Sequence, residues 1–213
     1  SGEFDEANEN RVRVALWHNQ GNVRFENQIS IVRGDIPQRR KGGGPIWGDY
    51  DNDGDLDLFV AVGGFWAADR GPNMLLRNDA GFFTDVALAV GLTDVQATDN
   101  AIWLDSDRDG DIDLYVANMA CGSLPPGYPE PRNIFYRNNG DGTFADATEE
   151  MGPELKLADH NCIFEAAHGM VAGDFDDDGW PDLYLGVWKN PNYLFLNDGQ
   201  GRFIDVTTRE IAD

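Results

Sequence analysis

Acidic side chains recur at a fixed spacing in three nonapeptides, which lie at residues 49–57, 105–113 and 174–182. In each of them, aspartates occupy positions 1, 3, 5 and 9, and a glycine occupies position 6. So many carboxylates within nine residues repel one another unless a cation lies among them. A hard divalent cation with oxygen ligands meets that requirement, and Ca²⁺ fits this spacing best. The sequence therefore predicts one calcium site in each nonapeptide, which we call an Asp loop.

The spacing follows the ligand pattern of an EF-hand loop up to position 9, and the glycine allows a turn that points the carbonyl of position 7 at the ion. Position 12 of an EF-hand loop is a bidentate glutamate, but here it is Val60, Val116 or Leu185. The residues around position 12 are β-branched, aromatic and leucine-rich, which predicts that each loop leads into a strand. A metal-free acidic surface turn is the alternative, and the threefold recurrence argues against it.

The elements that position the loops also recur. The loops begin 56 and 69 residues apart, which indicates a repeat protein. An apolar segment precedes each loop, at residues 45–47, 101–104 and 169–172. A strand, an Asn/Asp/Gly turn and a second strand follow each loop, at residues 73–86, 133–148 and 192–207. Four short strands in each unit predict an all-β fold made of four-stranded antiparallel β-propeller blades.

The two linked motifs, Asp-x-Asp-x-Asp-Gly-x-x-Asp and Asn-x₄-Asn with a following Phe-x-Asp, resemble the FG-GAP/VCBS-type repeat. The resemblance extends from about Val12 to Thr207 and is strongest to the cartilage-acidic-protein-like and bacterial group of such propellers. It implies one Ca²⁺ in each Asp loop, held by the side chains at positions 1, 3, 5 and 9 and by the carbonyl at position 7. The implied ligands are Asp49, Asp51, Asp53, Asp55, Asp57, Asp105, Asp107, Asp109, Asp111, Asp113, Asp174, Asp176, Asp178, Trp180 and Asp182.

About three and a half repeats are predicted. A partial N-terminal blade with a basic loop covers residues 1–41, and complete repeats cover 42–97, 98–164 and 165–213. The N-terminal part matches the hairpin half of a repeat and lacks an Asp loop, so the array is incomplete by itself. Three explanations remain open: a fragment of a longer protein, a subunit that completes a ring or filament with other chains, or a small open array with a capped end.

The net charge of the chain limits the classes of partner that are expected. The formal net charge is −22, from 38 acidic and 16 basic residues, and fifteen of the acidic residues lie in the Asp loops. Three bound Ca²⁺ would reduce the charge to −16. A field of this sign argues against binding to nucleic acids and anionic membranes, but not against binding to glycans or basic proteins. No run of about 20 apolar residues occurs, so no membrane insertion is expected.

The two cysteines, Cys121 and Cys162, allow one disulfide, and two separate thiols are the alternative. Calcium loops of weak to moderate affinity need the millimolar Ca²⁺ that is found outside cells. An extracellular, secreted or cell-surface location suits both a disulfide and such loops.

The inserts between strands are the other candidate binding regions. Trp66 and Tyr128 could stack on a sugar ring or contact a protein partner, or they could pack over the blade edges. The tripeptide Arg33–Asp35 is too short to indicate an integrin ligand. His160, Cys162 and His168 lack the spacing of a transition-metal motif.

The main hypothesis is a secreted, calcium-binding β-propeller that acts in adhesion or assembly through protein contacts, with Ca²⁺ in a structural role. The partners would be another protein, or further copies or segments that complete the propeller. A carbohydrate-binding module is the alternative, and an accessory domain of a hydrolase is a third. No nucleophile elbow, zinc-protease motif or phosphate loop is present, and an enzyme is not expected.

Overall fold

The computed structural model describes residues 17–27, 32–33, 42–63, 71–118, 132–152, 155, 167–187 and 191–207. The strands are β1 Trp17–Asn19, β2 Phe25–Asn27, β3 Val32–Arg33, β4 Gly42–Gly48, β5 Asp57–Val62, β6 Met74–Asp79, β7 Phe82–Asp85, β8 Thr98–Leu104, β9 Asp113–Asn118, β10 Ile134–Asn138, β11 Phe144–Asp146, β12 Ala167–Gly173, β13 Asp182–Val187, β14 Tyr193–Asn197 and β15 Phe203–Asp205. A helix of one turn, α1, spans Thr148–Met151.

Three four-stranded antiparallel units follow one another along the chain. Blade 1 contains β4 to β7, blade 2 contains β8 to β11 and blade 3 contains β12 to β15. Within each blade, strands that are neighbours in sequence are neighbours in the sheet, and each Asp loop joins the first strand to the second. The predicted all-β fold of propeller-type blades is confirmed. The sheets form an open series, and the division of the chain into repeats at the stated boundaries stays a prediction.

The N-terminal part contains a hairpin, as predicted. Strands β1 and β2 pair antiparallel, with Trp17 opposite Asn27 and Asn19 opposite Phe25. Strand β3 was not foreseen: it pairs parallel with β7, so that Val32 lies opposite Phe83, and it adds a fifth strand to the sheet of blade 1. This short strand covers the outer edge of that sheet, which would otherwise expose unpaired backbone groups.

The second strand of each blade is the most deeply packed. All six residues of β5 and all six of β9 are buried. A strand buried on both faces needs apolar residues at successive positions, which explains the continuous apolar runs after the Asp loops. In β13 of blade 3, by contrast, Tyr184 and Gly186 are only partly buried.

Two of the three hydrophobic clusters among the described residues lie between blades, and the third, which includes Leu58, Val60 and Met74, is built by blade 1. One cluster joins blades 1 and 2 and includes Phe59, Leu75, Leu114 and Tyr136. A second cluster joins blades 2 and 3 through residues such as Tyr115, Phe135, Leu185, Phe195 and Phe203. Because these two clusters are each built by two neighbouring repeats, the stability of a repeat depends on its neighbour.

Several sequence predictions concern positions outside the described residues. These positions are Trp66, Cys121, Tyr128, His160 and Cys162, together with the basic loop from Gly34 to Lys41. The glycan and disulfide hypotheses therefore stay predictions. Among the described residues, no helix is long and apolar enough to span a membrane.

Candidate metal centres in the Asp loops

The backbone of the three Asp loops repeats closely. Position 4 lies in the left-handed region, with φ of 57° at Asn52, 59° at Arg108 and 62° at Asp177. The glycine at position 6 follows with φ of 93°, 95° and 92° at Gly54, Gly110 and Gly179. Two left-handed residues in a nonapeptide coil the chain tightly, and glycine adopts such a conformation at little cost. The coil brings the carboxylates at alternate positions to one side of the loop.

Internal hydrogen bonds hold this shape. The amide of the position 6 glycine donates to the position 1 carboxylate at 3.0, 3.2 and 2.9 Å in loops 1, 2 and 3. The amide of position 7 donates to the position 5 carboxylate at 2.8, 2.9 and 2.8 Å. The loops are thus organised by their own backbone, and less ordering is needed when a cation binds.

The coil gathers most of the predicted side-chain ligands into three groups. In each group, one potential ligand atom from each of three carboxylates lies within 4.8 Å of the others. The groups are Asp49, Asp51 and Asp53; Asp105, Asp107 and Asp109; and Asp174, Asp176 and Asp182. The third group contains position 9 in place of position 5, so Asp57, Asp113 and Asp178 lie outside these groups. Their predicted ligand role stays a prediction.

The position 9 aspartate links its loop to the hairpin of the same blade. It is 0% exposed at Asp57, 2% at Asp113 and 0% at Asp182. One carboxylate oxygen accepts the amide of position 2, at 3.1, 3.2 and 2.7 Å. The other accepts the amide of the hairpin asparagine, at 2.8 Å in all three blades. In loop 2 the Ser106 hydroxyl also donates to Asp113. Since a carboxylate oxygen has two lone pairs, these bonds leave capacity for a cation.

Burial disfavours the charged form of several of these carboxylates. It raises the pKa of Asp57 and that of Asp113 to about 6, although donated hydrogen bonds oppose the shift. Burial, followed by the charge of the position 5 aspartate, also raises the pKa of Asp51 and of Asp107. A cation among these groups would favour their charged forms and so offset this cost.

Two buried oxygen atoms test whether the loops fit Ca²⁺. Among the described residues, Oδ1 of Asp51 and Oδ1 of Asp105 are buried and have no hydrogen-bond partner. Buried polar atoms in native proteins are nearly always satisfied by a partner, water or an ion. Each atom belongs to a group of three gathered carboxylates, whose oxygens are the ligands of a hard divalent cation. The residues therefore fit a calcium ion.

Position 7 was predicted to offer its carbonyl, and its side chain serves another purpose in each loop. The Asp55 carboxylate accepts the amide of Ala80 in the hairpin turn of blade 1 at 3.0 Å. The Asp111 carboxylate accepts the Asn52 amide group at 2.6 Å. The Trp180 ring lies 5.4 Å from the Arg108 guanidinium carbon. A side chain at position 7 can therefore vary without removing a carboxylate from the gathered groups.

The sequence analysis missed a contact between repeats. The side-chain amide of the hairpin asparagine donates to the position 2 carbonyl of the preceding loop. Asn138 reaches the Tyr50 carbonyl at 2.8 Å, and Asn197 reaches the Ser106 carbonyl at 2.7 Å. The recurrence of asparagine at one place in every hairpin was the available signal, but it was interpreted only as turn chemistry.

The fold and the loops together define a class of protein: a repeat protein built from propeller-type blades, each with an acidic loop between its first and second strands. Comparison with known families agrees. The FG-GAP-like repeat profile matches residues 6–60 and 123–185, which together exceed half of the chain. The chain belongs to the FG-GAP-like repeat family.

Similar proteins include cartilage acidic protein 1 from two vertebrates. The Xenopus tropicalis protein is 31% identical over 100 residues, which cover 46% of this chain and 14% of that protein. The human protein is 33% identical over 83 residues, which cover 38% of this chain and 12% of that protein. The alignments thus span about one seventh or less of these relatives.

One similar solved structure concerns the recognition of non-reducing terminal N-acetylglucosamine by a lectin from Agrocybe aegerita. It covers 92% of this chain and 60% of the lectin chain, at 16% identity and a TM-score of 0.36. A similarity of this size assigns no ligand to this chain.

Proposed function

We propose that this chain is part of a calcium-stabilised β-propeller that acts outside cells in adhesion or assembly through protein contacts. The observation that carries the calcium role is the pair of buried, unpartnered oxygen atoms in two of the three gathered carboxylate groups, on Asp51 and Asp105. A bound Ca²⁺ supplies positive charge and oxygen coordination at these places. The role is structural because the loops join strands that build the cores between blades.

Two further observations support an extracellular setting. The relatives found by comparison are named for cartilage and for acidity, and this chain has a net charge of −22. Loops of this kind also bind Ca²⁺ most usefully where the free concentration is about millimolar, as in extracellular modules. In a secreted or cell-surface protein, such loops would remain occupied at the constant calcium concentration outside cells.

The test is to count calcium ions on each chain by native mass spectrometry in a calcium-containing volatile buffer. The wild-type chain is expected to carry three ions. Asp51→Asn is expected to carry two, because its buried oxygen belongs to the gathered carboxylates of loop 1. Asp85→Asn is the matched control, since Asp85 is an exposed aspartate of blade 1 outside the loops, and it should retain three.

Two outcomes would contradict the proposal. One is a chain that carries no calcium at millimolar concentration. The other is equal calcium content in Asp51→Asn and wild type, which would show that the gathered carboxylates do not hold the ion. Retained secondary structure in circular dichroism would establish that the substituted chain is folded during the count.

A further inference from the structure

The residue before the hairpin asparagine differs between the blades. It is arginine in blades 1 and 2, at Arg77 and Arg137, and leucine in blade 3, at Leu196. All three lie at the same place in the sheet, opposite the residue that follows the hairpin phenylalanine. The positive charge of an arginine near an Asp loop attracts the carboxylates but repels a calcium ion. The surroundings of the three loops therefore differ in charge although their aspartates are the same.

Arg137 and loop 2 border the same space between blades 2 and 3. The guanidinium of Arg137 donates to Sδ of Met151 at 3.0 Å. A Cβ atom added at Gly201 of blade 3 would lie 4.0 Å from Cε of Met151 and 3.7 Å from Cβ of Asp107 at position 3. Burial raises the pKa of Asp107, and the charge of Arg137 opposes that shift. The arginine thus acts on a carboxylate of the gathered group of loop 2.

The acidic partner of Arg137 does not cancel this charge. Nη1 of Arg137 lies 3.2 Å from the Glu150 carboxylate, but the Glu150 side chain is 72% exposed. Nε of Arg137 is buried and, within the described part of the chain, has no hydrogen-bond partner. Water screens an exposed charge more strongly than a buried one. A net positive potential from Arg137 therefore reaches loop 2.

Arg77 has the same relation to loop 1. Its side chain forms a hydrogen bond with that of Tyr50, at position 2 of the loop. Burial raises the pKa of Asp51 at position 3, and the charge of Arg77 opposes that shift. The acidic partner of Arg77 is Asp79, which lies at 3.1 Å and has an exposed side chain. At the equivalent place in blade 3, Leu196 supplies no charge.

We propose that Arg77 and Arg137 are built-in counter-charges that lower the calcium affinity of loops 1 and 2, and that loop 3 lacks one. This inference rests on the proposed calcium role and names the residues that adjust the affinity of the same sites. In the calcium-free chain, each arginine offsets the repulsion among the carboxylates. When Ca²⁺ binds, the arginine repels it. The counter-charge therefore opposes the effect of shielding by the following blade, and the affinity of loops 1 and 2 is the net result of both.

The test measures one loop at a time. Asp51→Asn and Asp174→Asn each remove a gathered carboxylate, so a chain with both substitutions keeps the complete group of loop 2 alone. Native mass spectrometry should count one calcium ion on this chain, and isothermal titration calorimetry gives its dissociation constant. Arg137→Leu in this chain should bind calcium about fivefold more tightly, because the repulsion between the two cations is removed. Arg137→Lys keeps the charge and should bind calcium as the arginine does.

Arg132→Leu is the matched control for charge. It removes one positive charge from the same blade, at the opposite end of β10, where Arg132 pairs with Asp146. Its dissociation constant for calcium should not change. Added salt should reduce the effect of Arg137→Leu, because mobile ions screen the arginine from the loop. A role of Arg137 in packing alone would not depend on salt.

The converse substitution introduces the charge into blade 3. A chain with Asp51→Asn and Asp107→Asn keeps the complete group of loop 3 alone. In this chain, Leu196→Arg should weaken calcium binding about fivefold. Leu196→Met is the uncharged control and should bind as the leucine does. Circular dichroism establishes that both variants are folded, since Leu196 is partly buried.

The outcomes separate this inference from the proposed function. If calcium binds but Arg137→Leu has the affinity of the arginine chain, the counter-charge inference is overturned and the calcium role stands. The same holds if Leu196→Arg leaves the affinity of loop 3 unchanged. If wild type binds no calcium, the calcium role fails, and the inference that rests on it fails as well.

Discussion

Loops 1 and 2 differ from loop 3 although the three share one ligand pattern. The position 1 and 3 aspartates are partly buried at Asp49, Asp51, Asp105 and Asp107, but they are exposed at Asp174 and Asp176. The following repeat causes the difference, because its hairpin packs on positions 2 and 3 of the interior loops. Each candidate site therefore takes its carboxylates from its own repeat, and loops 1 and 2 are shielded from water by the repeat that follows.

The position 9 aspartate is the part of the loop that does not differ. It is buried in all three blades and accepts amides from the loop and from the hairpin of its own repeat. Each blade thus forms the hydrogen bonds of its position 9 aspartate by itself, whereas the shielding of positions 1 to 3 requires a neighbouring blade.

The largest effect is expected at position 9. Asp113→Ala and Asp182→Ala each leave at least two amide donors without their acceptor, and each should lower the free energy of unfolding by about 3–5 kcal/mol. Urea unfolding in calcium, followed by tryptophan fluorescence, measures the loss. Asp205→Ala, at an exposed aspartate of blade 3, is the control. If the free energy of unfolding falls much less in Asp182→Ala than in Asp113→Ala, the stabilisation by position 9 also depends on a neighbouring blade.

Calcium removal should reveal two classes of site. A site that is saturated at 100 times its dissociation constant adds about 2.7 kcal/mol to stability. The shielded loops 1 and 2 should bind about tenfold more tightly than loop 3, because attraction between charges is stronger away from water. Isothermal titration calorimetry of the calcium-free chain should resolve two tight sites and one weak site. Three equal sites would contradict a role for the following repeat.

The hairpin asparagines offer a matched pair of substitutions. Asn138 is buried and donates to the carbonyls of Tyr50 and Ile112, whereas Asn78 donates to the Leu56 carbonyl of its own blade. Asn138→Ala should cost about 2–3 kcal/mol and Asn78→Ala about 1 kcal/mol, measured by thermal unfolding. Asn138→Ala should also weaken calcium binding in loop 1, which it helps to cover. Equal costs would remove the distinction between the two asparagines.

The smallest effect is a pH dependence of the calcium-free chain. Burial raises the pKa of Asp57 and of Asp113 to about 6 in the folded state, from an ordinary value near 4. Between these values the folded state binds more protons than the unfolded state, so stability falls as pH rises through this range. We expect each group to contribute a loss of about 1–2 kcal/mol between pH 4.5 and 7 without calcium.

Calcium should reverse that trend, because protons compete with the ion for the same carboxylates. Thermal unfolding at a series of pH values, with calcium and with a chelator, measures both slopes. Asp57→Asn removes one of the two groups, so it should reduce the slope of the calcium-free chain. An unchanged slope in this variant would assign the pH dependence to other groups.

Much of the fold could be predicted because the sequence signals of the repeat are short and local. The Asp loop, the apolar run after it and the Asn-x₄-Asn hairpin each depend on residues close in sequence, and they led to the four-stranded blade that the structure shows. Strand β3 could not be predicted, because two residues, Val32 and Arg33, have no periodicity, and their parallel pairing with β7 depends on a distant segment.

The ligand roles in the candidate site stay predictions, but part of the geometry of the loops could be anticipated. The gathering of Asp49, Asp51 and Asp53 follows from alternate spacing in a tight turn. The exclusion of position 9 from the first two groups does not follow from spacing, and the hairpin amide does not explain it, since Asp182 accepts the equivalent amide and lies within the third group. The contacts that Asn52 and Arg108 make with the next repeat could not be predicted either, because a motif within one repeat carries no information about the neighbouring repeat.

The sequence by itself determined the blade and the acidic composition of its loop, because turn chemistry and strand patterning act over a few residues. Only the tertiary structure decided which of the described loops are shielded by a neighbouring blade. Shielding is a property of two packed repeats: Phe144 covers Tyr50, whereas Phe175 at the equivalent position of blade 3 remains 48% exposed. Near-identical local patterns acquire different environments because each blade buries its loop against the blade that follows.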